Sequence, residues 1–328
     1  MSNTIWVIVQ QRQGKLHKMS IEAVRAGQLL ASMVDGSVDA VLLGSQVGEA
    51  AEQLAGFQLG AVKVLDHASL GSFTPGAYTS SLQALAAETK PTFLVFPHTY
   101  QTVDYAPRLA QLLGGSLVPE VTGVEKDDTG LVWRRPVMSG KLEARVRTRG
   151  EGPVVVTVQS AAFPADEAAT GQAPVETLTV DEGVIAEDRQ ILGVVEAAAG
   201  EVDLTQAELI VAVGRGVGDA DKIGPVEDLA AALGAELGAS RPVIDNGWLP
   251  RDRQIGSSGQ TVSPKLYLAA GISGAIQHLV GMKGAQVIVA INKDRGAPIF
   301  NIAHYGIVGD LHEVVPALTA AVKEARGD

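Results

Sequence analysis

Cysteine is absent from the 328 residues of this chain. That single absence excludes disulfides, thiolate metal sites, iron-sulfur ligation and cysteine nucleophiles, so redox chemistry here requires a bound organic cofactor. Aromatic residues are scarce at 4%, whereas apolar residues make up 46% of the chain and glycine alone numbers 37. This mix suits tightly packed parallel sheets covered by small-residue helices, and so favours an α/β fold. Positive charge is also in short supply: 26 Lys and Arg face 37 Asp and Glu, a formal net charge of -11 that repels a phosphate backbone and argues against nucleic acid as a partner. No window approaches the roughly 20 consecutive apolar residues that span a bilayer. The opening MSNTIWVIVQQRQGK has no basic region followed by a sustained apolar stretch, so no secretory signal is read. The expectation is a cytoplasmic protein, the alternative being a mature mitochondrial matrix form without its transit peptide.

What is present is alternation. Short apolar strands at residues 5–9, 39–43, 61–65 and 92–96 alternate with helix-period stretches at 20–34, 49–54 and 78–88, a βαβ series that predicts a parallel sheet. After a helix at 103–113 the period shifts from 3.6 to 2, and segments 118–124, 131–137, 141–147 and 154–158 read as an antiparallel extension of the same sheet. The run FPADEAATGQAP (163–174) reads as an exposed loop and an acidic stretch, 181–188, follows it. A second α/β series then begins, with strands expected at 209–213, 242–244, 265–269 and 286–291 and helices at 226–237 and 313–325, and the domain boundary is placed near residue 196. No repeat of 20 to 50 residues is visible.

Six constellations in the second half can carry chemistry. Gly214-Arg215-Gly216-Val217-Gly218 follows an apolar strand; amides at such an exit can approach a pyrophosphate and the guanidinium can pair with it, although a tight turn with a solvated arginine has the same spacing. Ser240-Arg241-Pro242 is expected at the start of a strand, where a fixed cation beside an isoalloxazine favours its anionic reduced forms, although a surface arginine preceding a strand has the same spacing. The loop from Gln254 to Thr261 offers hydroxyls and amides to the polar edge of a flat ligand, or is a plain solvent loop. In Gly271-Ile272-Ser273-Gly274-Ala275-Ile276-Gln277-His278 a strand ends, Ser273 is the expected helix cap, and His278, a little over one turn inside, can oppose developing negative charge as an imidazolium or through its N–H, or makes an ordinary polar contact. Asn292 closes an apolar strand where ligands of open α/β sheets bind, or belongs to a plain turn. Asp310, ahead of the last helix, is a cap, a ribose-binding acid, or both.

Together these residues resemble the electron transfer flavoprotein alpha-subunit (large-subunit) family. The run LYLAAGISGAIQHLVGMKGAQVIVAIN (266–292) is similar to that family's signature over its whole length, and the likeness continues through NIAHYGIVGDL (301–311). The first half agrees in length and βαβ order but has no comparably sharp motif. The resemblance implies residues 1–196 as an N-terminal parallel-sheet, nucleotide-hydrolase-like α/β domain with an antiparallel extension, which contacts a beta subunit. It implies residues 197–328 as a Rossmann-like FAD-binding domain with a C-terminal helix. It further implies that Arg215 lies near the FAD phosphates, that Ser240 and Arg241 lie by the flavin ring, and that Ile255, Gly256, Ser257 and Ser258 form a contacting loop. Ser258 stands where a Thr is frequent and keeps the hydroxyl expected near N5. Ser273, Gly274, Ala275, Ile276, Gln277 and His278 match the phosphate and flavin segment, with His278 expected near O2, while Asn292, Asp310 and Leu311 match nucleotide contacts. Two departures stand out: His304 replaces a common acid and Trp248 a frequent Phe.

The function implied is that of an electron carrier without substrate turnover of its own, working in fatty acid beta-oxidation as a heterodimer whose beta subunit is expected to carry AMP. Electrons would come from flavoprotein dehydrogenases such as acyl-CoA dehydrogenases and go to a membrane quinone reductase. The rival readings are an FAD- or NAD-dependent small-molecule oxidoreductase, from the glycine-rich turn, and a colourless nucleotide-binding regulatory module, from the first βαβ series.

Overall fold

The computed structural model describes residues 3–138, 140, 142–186, 188–193 and 202–327. The chain divides into two compact units, Met1–Val194 and Val195–Asp328; the boundary expected near residue 196 lies outside the described residues.

In the first unit, β1 (Asn3–Val9) sits at the centre of the sheet and is apolar on both faces. Its side chains alternate: Ile5, Val7 and Val9 join the core under α1 (Lys18–Val34) and α2 (Gly48–Ala55), and Trp6 and Ile8 join the core under α3 (Pro75–Thr89) and α4 (Tyr100–Leu112). A strand covered by helices on both sides must be apolar at every position, which is why it reads as a continuous run. Between β1 and α1 the chain makes a small ribbon, β2 (Gln11–Arg12) with β3 (Lys15–Leu16). The helices have local reasons to start where they do. Thr74 accepts from Ala77 N–H and Pro75 presets the first turn of α3, while Thr99 and Thr102 form a reciprocal capping box at α4.

The sheet continues with β4 (Gly36–Gly44), β5 (Ala61–Asp66), β6 (Phe93–Pro97), β7 (Ser116–Val121), β11 (Val154–Val158) and β12 (Val175–Leu178), in the order β12-β5-β4-β1-β6-β11-β7, all parallel. The antiparallel extension exists, but as a separate sheet of β8 (Gly123–Asp127), β9 (Gly130–Val137) and β10 (Leu142–Val146), and not as part of the first one. Composition explains the split. The valine-rich VVVTV of β11, buried from Val155 to Val158, needs cover on both faces and so enters the main sheet between β6 and β7. By contrast β8 to β10 mix apolar with charged residues and pair their charges across strands, Arg134 with Glu125 at 3.3 Å and Arg145 with Glu125 at 2.9 Å. Lys141, expected in that last strand, and Glu187, expected in the acidic stretch, lie outside the described residues.

The second unit is a six-stranded parallel sheet, β15-β14-β13-β16-β17-β18. Its elements are β13 (Leu209–Val213), α5 (Gly224–Leu233), β14 (Glu236–Ser240), α6 (Arg241–Asp245), β15 (Gln254–Ile255), β16 (Leu266–Ala270), α7 (Ile276–Val280), β17 (Val287–Asn292), β18 (Tyr305–Val308) and α8 (Leu311–Arg326). Helices α5 and α8 pack on one face through Val226, Leu229, Leu311 and Val315. Here two expectations are corrected. Residues 242–244 form a short helix, and the strand is 236–240, because Gly234 in a left-handed conformation (φ 63) ends α5 early and Pro242 in the first turn of α6 starts a helix. Ser240 and Arg241 therefore stand at the end of a strand. Ser273 does not cap α7, which begins at Ile276 behind Ala275 without a side-chain cap, so His278 is only its third residue. Among the described residues no helix is long and apolar enough to cross a membrane.

Candidate functional site

Several parallel strands of the second unit end side by side. β13 runs into Gly214 and the turn Arg215–Val217, β14 ends at Ser240, β16 delivers Gly271, and β17 ends at Asn292. Strand order reverses between β13 and β16, and at such a switch point the connections leave to opposite faces and open a crevice at the carboxyl ends. A cavity of ≈ 800 Å³ lies there, toward the upper end of the ~300–1,000 Å³ usual for small-molecule sites.

Its floor is built by close backbone approach. Gly214 N–H donates to the Ala270 carbonyl at 2.8 Å and Gly216 N–H to the Gly271 carbonyl at 3.0 Å. A Cβ on Gly214 would collide with the Gly271 carbonyl, and one on Gly274, at φ +87, with the backbone of Ile299. Glycine is required at both places. On the opposite wall, Ser257 N–H donates to the Gln277 carbonyl at 2.7 Å and ties the loop after β15 to α7. Buried Gln254 donates through Nε2 to Ser258 Oγ at 3.0 Å, so the Ser258 hydroxyl keeps its own proton to donate.

His278 is buried with both ring nitrogens engaged: Nδ1 lies 3.1 Å from the Ile255 carbonyl and Nε2 2.9 Å from the Tyr267 hydroxyl. A carbonyl only accepts, so Nδ1 carries the proton and Nε2 accepts from Tyr267. Burial pushes the imidazolium down from its ordinary 6.5 to about 4, with the Ile255 hydrogen bond opposing it. Burial thus disfavours the imidazolium, one of the two forms considered from sequence, and the one N–H of the neutral ring points at the Ile255 carbonyl.

Charge around the cavity runs against that of the chain as a whole. Arg215, Lys222, Arg241 and Lys293 line it against Asp245 and Asp310. The guanidinium Nε of Arg241 sits 3.3 Å from Asp245 one turn along α6, and both side chains are mostly exposed. Asn292 donates to the Ile272 carbonyl at 2.9 Å and accepts from Asp294 N–H at 2.9 Å, which leaves one donor and one acceptor position for a ligand. Asp310 caps α8, its Oδ1 accepting from His312 N–H at 2.9 Å.

Of the residues singled out from sequence, the structure brings Arg215, Ser240, Arg241, Ile255, Gly256, Ser257 and Ser258 to this one cavity. Ser273, Ala275, Gln277, His278, Asn292, Asp310 and Leu311 complete the lining. Gly274 and Ile276 are not part of it: the first is packed under Ile299 and the second points its side chain outward, 45% exposed. Sequence reasoning missed Lys222, Asp245, Lys293 and His312 in the lining and Gln254 behind Ser258. Lys293 directly follows Asn292 at a strand end and was the findable one; Lys222, in a short helical turn, has no sequence signal. The two departures are benign here. The ring of His304 accepts from Ile288 N–H at 3.0 Å, away from the cavity lining, and Trp248 packs against the core under α5 and α8.

The donor set suits FAD. A floor built of close-packed glycine backbone, amides and cations for a diphosphate, and a hydroxyl with a proton to donate are what a flavin dinucleotide requires. A family model described as "Electron transfer flavoprotein domain" matches residues 5–183 and one described as "Electron transfer flavoprotein FAD-binding domain" matches residues 203–283. Among similar proteins, electron transfer flavoprotein subunit alpha of Thermoanaerobacterium thermosaccharolyticum is 38% identical over 326 residues, 98% of each chain. The Bacillus subtilis protein of the same description is 37% identical, covering 99% of this chain and 98% of its own. The acryloyl-CoA reductase electron transfer subunit beta of Anaerotignum propionicum is 36% identical, covering 98% and 96%.

Proposed function

Because the chain belongs to the electron transfer flavoprotein alpha-subunit family, we propose that it is the FAD-carrying half of a heterodimeric electron carrier that takes electrons from flavoprotein dehydrogenases and hands them to a membrane quinone reductase. The binding of FAD and a role in electron transfer follow from the family. The partners and the residue roles are the proposal. Acyl-CoA dehydrogenases are the donor class favoured, and a relative whose name ties it to acryloyl-CoA reductase supports chemistry on CoA thioesters. The beta subunit, with AMP as its own nucleotide, is the expected partner of the first unit.

The observation that carries the reading is the convergence of Arg215, Arg241, Ser258 and Asn292, from different strand ends, on one cavity. Bound FAD supplies one- and two-electron chemistry; the chain's own residues bind it and set its charge environment. Arg215 and Lys293 hold the diphosphate against the amides of the glycine-rich turn. Ser258, fixed by Gln254, donates to the flavin's edge. Arg241 places positive charge beside the ring and favours its reduced, more negative forms. Asp245 moderates that charge. The buried His278 and Tyr267 pair supports the wall behind the ring without adding charge. No general acid-base pair is needed, since no substrate is bound.

The test is to purify the chain with a co-expressed beta subunit and follow visible absorption anaerobically. The reading expects one tightly bound FAD per alpha chain, reduction by an acyl-CoA dehydrogenase with its substrate, and no reduction by small alcohols, acids or NADH alone. A preparation without a flavin band, or one bleached directly by a small molecule, defeats it.

A further inference from the structure

We infer that His312 is a positioning residue that clamps the glycine-rich turn to the first turn of the C-terminal helix, and so holds Arg215 and Asp310 at a fixed separation across the cofactor cavity. The inference rests on the reading of that cavity as the FAD site. His312 lines the cavity, yet its Nε2 lies 3.1 Å from the carbonyl of Val217, a residue 95 positions earlier in the chain. A carbonyl can only accept, so Nε2 carries the ring proton and the neutral ring has its lone pair on Nδ1. The backbone of the same residue is also held: His312 N–H donates to Asp310 Oδ1 at 2.9 Å. One residue thereby joins the acid that caps α8 to the turn that carries Arg215.

The turn needs such a strut. It is a single helical turn, Arg215–Val217, between glycines, and Gly218 leaves it at φ +93. On the side of β16 it is braced by Gly216 N–H on the Gly271 carbonyl at 3.0 Å, and the Val217 side chain is buried. The Val217 carbonyl accepts from His312 Nε2–H, which reaches it from the first turn of α8. With the bond in place the turn is fixed from both sides, Arg215 is presented to the cavity, and the ordering cost of closing the turn on a diphosphate is met before the ligand arrives. His312 itself touches no reacting atom; its effect runs through the turn.

The experiment uses the full chain with its co-expressed subunit, with and without FAD. In the ligand-free protein, nitrogen-15 NMR is expected to report His312 as the Nε2–H tautomer, and amides 214–218 are expected to exchange slowly with solvent. His312→Phe, which keeps the ring and loses the donor, is expected to speed that exchange and to weaken FAD binding by about fivefold, the worth of one neutral hydrogen bond. His312→Gln, whose amide nitrogen reaches the same point, is expected to restore both. An Nδ1–H tautomer, or a Phe variant with unchanged exchange and affinity, overturns the clamp. So does a Gln variant as impaired as the Phe one, since the ring would then be acting on the ligand through Nδ1. Wild-type protein that binds no FAD would sink the cofactor reading instead, while the tautomer and exchange measurements would still decide the clamp.

Discussion

The Tyr267 hydroxyl donates to Nε2 of His278 across 2.9 Å, inside a wall where both residues are buried. Because Nδ1 of the same ring donates to the Ile255 carbonyl, the bond fixes one neutral tautomer, the Nδ1–H form. Burial pushes the tyrosine hydroxyl well above its ordinary 10.0 as well, so the pair is uncharged through the whole physiological range.

Acid should therefore loosen the second unit. The unfolded chain binds a proton on this histidine near 6.5 and the folded ring only near 4, so the stability it contributes is complete above pH 6.5 and is lost as pH falls through about 4. The total is at most about 3 kcal/mol. Comparing urea unfolding of wild type and His278→Gln from pH 4 to 7 isolates it: the gap between them should shrink as pH falls, and a constant gap would show that the ring titrates normally. Tyr267→Phe should cost about 1–3 kcal/mol near pH 7 by leaving Nε2 buried without its donor.

Glu22 acts in the opposite sense in the first unit. Its carboxylate is 3% exposed in α1 and accepts from Ala161 N–H at 2.7 Å; burial raises it from 4.5 to about 7, against the weaker lowering by that bond and by Lys18. The stability it contributes is fully present below pH 4.5 and is lost as pH rises through about 7. Glu22→Gln keeps an acceptor for Ala161 and removes the titration. It should gain on wild type as pH rises, by up to about 3 kcal/mol at pH 8, and equal stability curves at pH 5 and pH 8 would refute the assignment.

The parts of this fold that were legible in the sequence are those where one interaction dominates. Runs such as Ile5–Val9 and Leu209–Val213 are buried on both faces, so hydrophobicity alone marks them, and Gly274 and Gly281 are demanded by close approach of the Ile299 and Gly256 backbones. What escaped depended on competition or on distant partners. Pro242 could have followed a strand or opened a helix, and the early stop at Gly234 decided it. The edge strand β12 is exposed at Val175, Glu176 and Thr177, so it shows no apolar pattern and exists through its ladder with β5. Gln254 behind Ser258 and His312 under Val217 could not be seen, because each owes its role to where another segment lies.

Gly214→Ala tests the cavity floor. A methyl group there meets the backbone of Gly271 and Ile272, neither of which can swing aside as a side chain would. The two turns should be forced apart, with a loss of about 1–3 kcal/mol in stability from overpacking and a weakening of FAD binding by tenfold or more. Equilibrium unfolding and flavin fluorescence read the two effects separately. Normal affinity in the variant would mean that the close approach of these turns does not shape the cofactor site.

The pair of Arg241 and Asp245 makes a signed prediction about the flavin's reduction potential. Reduction adds negative charge to the ring, so positive charge nearby raises the potential and negative charge lowers it. Arg241 stands at the cavity with its guanidinium Nε 3.3 Å from Asp245, and both side chains are more than half exposed, so each charge is felt through water-screened space. Exposed pairs of this kind are worth ~0.2–1 kcal/mol, which for one electron corresponds to about 10–40 mV. Asp245→Asn should move the potential up by that amount and Arg241→Ala should move it down, with both shifts shrinking as salt is raised from 0.02 to 0.5 M, roughly the range over which the Debye length falls from tens of ångströms to a few. Redox-dye titration of the purified heterodimer measures all of these. Shifts of the same sign in the two variants would mean that structure, and not charge, had changed, and would defeat the proposal that Arg241 lies beside the ring.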